Sequence, residues 1–204
     1  MTQEQWVPLN RANASADPFV QFAAWYEDAA SQMREREAIC VATVDGAGQP
    51  HARMVLLRGY DERGFVFFTN YQGAKGQELE VQPRAAILWY CEALGRQIRI
   101  EGPVQKVSEG ESDEYFDSRP HGHQVGAHAS QQSSAVASRA ELEAQVAEAE
   151  ARFADGKVPR PPHWGGYRVI PERFEFWQHR RDRIHDRLIY EASGQRWSMS
   201  RMQP

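Results

Sequence analysis

Ala85-Ala86-Ile87-Leu88-Trp89-Tyr90, the turn at Glu92-Ala93-Leu94-Gly95 and the run at 97–107 decide the fold. Two runs rich in aliphatic and aromatic residues meet at a turn ending in glycine, which reads as two strands running antiparallel. The same grammar extends toward the N-terminus. Ile39-Cys40-Val41-Ala42-Thr43-Val44 is a strand closed by Asp45-Gly46-Ala47-Gly48, and 52–60 form another. Asp61-Glu62-Arg63-Gly64 then turns the chain into Phe65-Val66-Phe67-Phe68-Thr69. Toward the C-terminus a meander is expected at 167–170, 174–178, 188–191 and 197–201. Short strands at this spacing favour an antiparallel barrel over alternating βαβ units.

Helices punctuate the strands. Asp17-Pro18 is a capping carboxylate followed by a proline suited to the first helical turn, and Phe22, Tyr26, Ala29 and Met33 follow at helical spacing. A short helix is expected at 75–81 and another at 109–118, the latter ended by Arg119-Pro120. Residues 120–137 lack apolar periodicity and read as an ordered loop. Ser138, with Glu141 three residues on, opens an amphipathic helix whose face is Leu142, Val146, Ala149 and Phe153. The expected architecture is mainly β with flanking helices: a polar N-terminal segment at 1–16, able to move, then one domain at 17–204.

Bulk composition narrows the function. The 204 residues are 41% hydrophobic and 25% charged, enough for a substantial core without disulfides or a structural metal. A net charge of −4 argues against a general nucleic-acid binder. Cys40 and Cys91 are too far apart in sequence for a zinc motif and read as reduced thiols. The polar start and the absence of a long apolar run point to a cytoplasmic protein without a membrane span. There is no Gly-x-Gly-x-x-Gly, phosphate loop, His-Glu-x-x-His or Gly-x-Ser-x-Gly. His121-Gly122-His123 has no cysteine or carboxylate companion, so no metal is expected.

Cations carry the remaining chemistry. Arg53 and Arg58 bracket Met54-Val55-Leu56-Leu57, and Lys75 follows Thr69-Asn70. Converging, they would suit a phosphate, Arg as a fork and Lys as a point charge, with Gln132 and Ser133 as neutral donors. Tyr115 and Arg119 sit four residues apart on one helix face. Downstream, Trp177 precedes Arg180, Arg181, Arg183, His185 and Arg187. In an extended segment Arg183, His185 and Arg187 would share one face, suited to an anionic ligand and to proton control.

These segments, in this order, resemble the pyridoxine/pyridoxamine 5′-phosphate oxidases: Arg53-Met54-Val55-Leu56-Leu57, Phe67-Phe68-Thr69-Asn70, Gly95-Arg96-Gln97, Tyr115-Phe116-Asp117-Ser118-Arg119-Pro120, Gln124-Val125-Gly126-Ala127, Ser130-Gln131-Gln132-Ser133, Trp164-Gly165-Gly166-Tyr167-Arg168-Val169, Phe176-Trp177-Gln178 and Arg183-Ile184-His185-Asp186-Arg187. The resemblance implies an FMN-binding split β-barrel, antiparallel and Greek-key-like, in a homodimer with FMN at the interface. It also implies oxidation of a B6 5′-phosphate to pyridoxal 5′-phosphate, with O2 reduced to H2O2. By position, Arg53, Met54, Val55, Leu56, Leu57, Arg58, Phe68, Thr69, Ala74, Lys75, Gln97, Gln132, Ser133, Trp177 and Arg187 would lie at FMN. Arg58, Tyr115, Arg119 and His123 would hold the substrate phosphate, with Arg183 and His185 as catalytic residues over the substrate ring.

The sequence departs from the family pattern at several points. Arg58 replaces a usual Lys, His123 a Ser, His128 a Trp and Ala74 an Arg. His179 and Arg180 stand where glycines are usual, and the N-terminal Arg-x-x-Tyr segment has no counterpart. The departures keep open a relative acting on a phenazine-type ring intermediate. A non-catalytic flavin or pyridoxal-phosphate carrier is the alternative from another class, disfavoured by Arg183 and His185.

Overall fold

Alternating burial builds the sheet. In the computed structural model, which describes residues 7–154, 156–194 and 196–204, the strands are β1 (Ala38–Val44), β2 (Pro50–Leu56), β3 (Gly59–Asp61), β4 (Gly64–Asn70), β5 (Arg84–Cys91), β6 (Arg96–Lys106), β7 (Trp164–Val169), β8 (Arg173–Gln178), β9 (Asp186–Ser193) and β10 (Arg196–Arg201). Their order is β10-β9-β8-β6-β5-β1-β2, with β7 joining β6 to β4 and β3 beside β4. Every pairing is antiparallel. Flanking helices are α1 (Pro18–Asp28), α2 (Ala74–Val81), α3 (Glu109–Asp117), α4 (His121–Ala129) and α5 (Arg139–Arg152). This is the expected mainly β architecture, a curled antiparallel half-barrel with flanking helices. Among the described residues no helix is long and apolar enough to cross a membrane.

The inner face carries Ile39, Val41, Ile87, Trp89, Ile98, Ile100, Phe174, Phe176, Leu188 and Tyr190, all essentially inaccessible. Burying each contributes about 1.5–3 kcal/mol. Asp17 accepts a hydrogen bond from the Phe19 N–H at 2.8 Å, starting α1, which lays Phe22 and Trp25 over the core. A second small core, Phe116, Val125, Ala149, Val158 and Trp164, fastens α3, α4 and α5 to β7.

The sheet curls at Gly102. One edge of β6 pairs with β8 through Glu101, then with β7 from Val104. A Cβ on Gly102 would lie 1.9 Å from the Ile170 carbonyl oxygen, a backbone atom that cannot step aside. Gly102→Ala is therefore expected to destabilise the fold by about 2–4 kcal/mol in urea unfolding. An unchanged midpoint would show that this bend relaxes freely.

The structure departs from the sequence expectations in places. Helix α1 ends at Asp28, and Ala29 is its C-cap, so Met33 packs from the following turn rather than extending the helical stripe; Trp25 supplies the burial instead. Residues 52–60 are two strands because the chain changes partners: Leu57 N–H bonds to Glu37 O, whereas Arg58 N–H bonds to Val66 O. The run Met54-Val55-Leu56 is not buried, Met54 being 64% exposed.

Within 120–137 a helix, α4, stands where a loop was expected. Only Gln124 and Val125 are buried along it, so there was no periodicity to read. The Gln124 amide donates to Phe116 O at 2.9 Å, tying α4 to the end of α3. In α5 Ser138 caps as expected, although of its apolar face only Ala149 is fully buried. Finally, Arg183 does not share an extended face with His185 and Arg187. Arg181–Arg183 form a 3-10 turn in which Asp182 and Arg183 take φ of 58° and 61°, and β9 begins only at Asp186.

Residues 1–6 of the N-terminal segment lie outside the described residues. From Leu9 the chain lies against the C-terminal strands: Leu9 N–H donates to the Asp186 carboxylate at 3.2 Å, and Leu9 O accepts from Arg201 at 2.7 Å.

Candidate active site

A cleft of about 700 Å³ opens between the end of β2, β4, α2 and the α3–α4 corner. β2 and the residue beyond it contribute Met54, Val55, Leu56 and Arg58. β4 contributes Phe68 and Thr69, and α2 contributes Lys75. Tyr115, Ser118, Arg119, Pro120 and His123 come from the corner, Gln132 from the following loop and Trp164 from β7. Eleven of the sequence-derived candidates thus line one space.

Its wall is an aromatic slab. Phe68 stacks on Tyr115 at 4.0 Å between centroids and on Trp164 at 5.5 Å. Cations sit at both ends: the Arg119 guanidinium carbon lies 4.6 Å from the Trp164 centroid, and that of Arg58 5.9 Å from the Tyr115 centroid. Such contacts hold a cation without neutralising it. Arg119 Nη1 is buried with no hydrogen-bond partner. Burial lowers the Arg119 pKa, with a further push from Arg58, against the pull of Tyr115.

Lys75 is the second cation, and it is buried. Its Nζ donates to Thr69 Oγ1 at 2.9 Å and to Gln132 Oε1 at 2.8 Å, both neutral oxygens. Only 8% of the residue is exposed, and burial, then the charge of Arg53, pushes its pKa down despite the distant attraction of Glu78. Gly73 leaves room for this arrangement, since a Cβ there would meet Gln132 Oε1 at 2.7 Å. Two such cations, with no carboxylate in contact among the described residues, suit an anionic ligand.

Other candidates lie off the cleft. Arg53 donates to Glu78 at 2.9 Å and to Thr43, and His51 Nδ1 meets Glu78 at 2.8 Å. Burial alone would raise the Glu78 pKa, but hydrogen bonds from Thr43 and Arg53 hold it below the usual carboxylate range. Leu57 is in the core. Ala74 opens α2 and offers no side-chain donor. Ser133 follows Gln132 with φ of 72°.

The tail residues form a second group on the outer face of the sheet. Tyr90, Gln97, Trp177 and Arg187 are cross-strand partners in one row over β5, β6, β8 and β9. Arg187 Nε donates at 2.7 Å to Glu175, which is 2% exposed, and this bond raises the Arg187 pKa. The His185 ring packs on Trp177 at 4.6 Å, while Arg183 is exposed. None of Gln97, Trp177, Arg183, His185 and Arg187 lines the cleft.

Sequence reasoning assigned no role to Glu78, Ser118 or Trp164. Glu78 lies one helical turn beyond Lys75, a spacing that could have flagged it; Trp164 stood inside a recognised motif without a role. Among the described residues no three His, Cys, Asp or Glu side chains gather as a metal site.

Comparison with known proteins finds relatives of the same fold. Residues 26–153 match the family model described as pyridoxamine 5′-phosphate oxidase, and 164–204 the pyridoxine 5′-phosphate oxidase C-terminal dimerisation region. A pyridoxine/pyridoxamine 5′-phosphate oxidase of Burkholderia thailandensis is 52% identical over 200 residues, covering 96% of this chain and 93% of the relative. The enzyme of that name from Burkholderia vietnamiensis is 51% identical with the same coverage. Among solved structures, PhzG from Burkholderia lata 383, in complex with tetrahydrophenazine-1-carboxylic acid, superposes with a TM-score of 0.91 at 31% identity, covering both chains fully. A pyridoxamine 5′-phosphate oxidase-related, FMN-binding protein of Nostoc punctiforme shares the fold, with a TM-score of 0.74 at 18% identity over 93% of this chain and 99% of that one.

Proposed function

Because the chain belongs to the pyridoxamine 5′-phosphate oxidase family of oxidoreductases, we propose that it oxidises pyridoxamine or pyridoxine 5′-phosphate to pyridoxal 5′-phosphate. For the amine the balance is RCH2NH2 + O2 + H2O → RCHO + NH3 + H2O2. The observation that carries the reading is a pair of cations, buried Lys75 and half-buried Arg119 with its Nη1 buried, facing one aromatic-walled cleft with no carboxylate in contact with either among the described residues. Two cationic stations suit two phosphates, one on the cofactor and one on the substrate.

The donor set fits FMN. Lys75, Thr69 and Gln132 would hold it, with Met54, Val55, Leu56 and Phe68 as apolar surface. Bound FMN supplies the two-electron acceptor that no side chain provides. Arg119, Arg58, Tyr115 and His123 would grip the substrate phosphate far from the reacting carbon, so that its binding energy serves orientation. Arg58 presents a fork where the family usually has a point charge, which favours a bidentate grip.

Arg183 and His185 are assigned to the substrate ring, together with Trp177, Gln97 and Arg187 from the outer face. Their separation from the cleft supports a site assembled from two copies, the cleft of one and the tail of the other. Exposed Met54, Leu56, Leu88 and Tyr90 on that face would then be covered in the dimer. The His185 Nδ1 accepts from the Arg180 N–H at 3.1 Å, so the neutral ring carries its hydrogen on Nε2, the nitrogen left for the substrate.

The test is anaerobic. FMN-loaded protein mixed with pyridoxamine 5′-phosphate is expected to lose its flavin absorbance near 450 nm, a general property of reduced flavins. Admitting air should then yield pyridoxal 5′-phosphate and peroxide. The superposition on PhzG makes a reduced phenazine carboxylate the competing substrate. Bleaching by that compound alone would replace the B6 reading, and bleaching by neither would favour a carrier.

A further inference from the structure

Beyond β8 the chain reverses through His179–Asp186, and three rings meet there. The His179 ring centroid lies 5.1 Å from that of His185 and 5.9 Å from that of Trp177, which itself packs on His185. The His179 N–H donates to Gly95 O at 2.8 Å, anchoring this cluster to the β5–β6 turn. The Arg180 N–H donates to His185 Nδ1, which makes Nδ1 the acceptor and leaves the hydrogen on Nε2. A second proton would have to enter at Nδ1 and displace that bond.

The surrounding charges act in the same direction. His179 faces His185 from just beyond β8, and the charge of Arg183 acts on it from the turn. Asp186, at the start of β9, is the nearby carboxylate, and it is already held by Arg180 at 3.5 Å and by Arg201 of β10 at 2.7 Å. Arg187 turns to Glu175. Burial, then His179, then Arg183, lower the His185 pKa.

We infer that His179 is a positioning residue: with the Arg180 backbone N–H it holds His185 as the neutral Nε2–H ring packed on Trp177. The inference rests on the proposed oxidase for its functional meaning, since His185 is assigned there to the substrate. The ring contact and the hydrogen bond stand independently of it. The sign is fixed. A charge on the neighbouring His179 ring disfavours a second like charge on His185. Removing His179 therefore lets His185 protonate at higher pH.

The experiment compares FMN-loaded, full-length protein with His179→Gln and His179→Ala. The histidine Cε1–H resonances are titrated by NMR, that of His185 being assigned by its loss in His185→Asn. In both variants His185 is expected to titrate at higher pH than in the parent. The acid limb of kcat/KM for pyridoxamine 5′-phosphate should move the same way, with activity falling up to about tenfold per pH unit below it. An unchanged His185 titration in both variants overturns the inference, even if activity falls, because a purely structural role would lower activity without moving the titration. His179→Gln keeps the side chain polar and of similar reach, and decides the matter if alanine does not fold. Should pyridoxamine 5′-phosphate prove not to be a substrate, the oxidase reading fails while the NMR titration still decides this one.

Discussion

Lys75→Met protein should bind FMN about 10–100-fold more weakly than the parent, the loss expected for one charge-assisted contact. Stripped of flavin, it should also melt at a higher temperature. The two effects share a cause. In the flavin-free fold the Lys75 ammonium is buried, and its hydrogen-bond partners, Thr69 Oγ1 and Gln132 Oε1, are neutral. Burial is the leading cause of its lowered pKa, with Arg53 second. Between the folded and unfolded pKa values the unfolded chain holds more protons, so stability rises with pH there; below that window the full cost of the buried charge is present. Methionine keeps the length and removes the charge, and each kcal/mol recovered raises Tm by about 2–4 °C. Quenching of FMN fluorescence measures the first effect and calorimetry of the apoproteins the second. Unaltered FMN affinity would remove Lys75 from the proposed cofactor site. A lower apoprotein Tm would mean that the bonds to Thr69 and Gln132 outweigh burial. The prediction also requires FMN to stabilise the parent more than the variant, because the shift follows affinity.

Much of the fold was legible because burial on one face writes itself into alternation. Ile39 and Val41, Ile98 and Ile100, and Phe174 and Phe176 point inward, and apart from 52–60 each strand was found within a few residues of its bounds. Asp17 and Ser138 marked helix starts through chemistry that acts within three residues. Legibility failed where long-range partners decide. Nothing local tells that Leu57 bonds back to Glu37 while Arg58 turns to Val66, so one expected strand became two. Helix α4 buries too little to carry a pattern, and its order comes from Gln124 reaching the end of α3. The positive φ values of Asp182 and Arg183, uncommon outside glycine, broke the straight face expected through His185. For the candidate site, eleven of the residues the motifs named line one cleft, but the motifs could not divide their roles. Arg53, Lys75 and Arg187 all look like phosphate cations in sequence. In the structure Glu78 occupies Arg53 and Glu175 occupies Arg187, leaving Lys75 without a carboxylate in contact among the described residues.

That division makes a test between two inactive proteins possible. Lys75→Met/Arg119→Ala damages the cleft, and Arg183→Ala/His185→Ala damages the tail. Each homodimer is expected to lose at least ~100-fold in kcat/KM, from two charge contacts in the first case and proton control plus orientation in the second. If each site combines the cleft of one copy with the tail of the other, a mixed dimer holds one doubly damaged site and one intact site. Random reassortment makes half the dimers mixed, so co-expression should restore about a quarter of parental activity from two inactive chains. The structural grounds are that the cleft wall contains Lys75 and Arg119 but neither Arg183 nor His185. Met54 is 64% exposed and Tyr90 50% exposed on the open face that carries Trp177. An apolar face of this kind, beside a segment matching a dimerisation region, is where a second copy would lie. Mixed dimers are isolated through two different affinity tags, so their formation is established before activity is read. Isolated mixed dimers without turnover would place cleft and tail of one site in the same copy. Isolated mixed dimers should show about half of parental activity, one intact site of two; recovery well above that would mean that the damaged halves are not inactive, and either result would overturn the shared site.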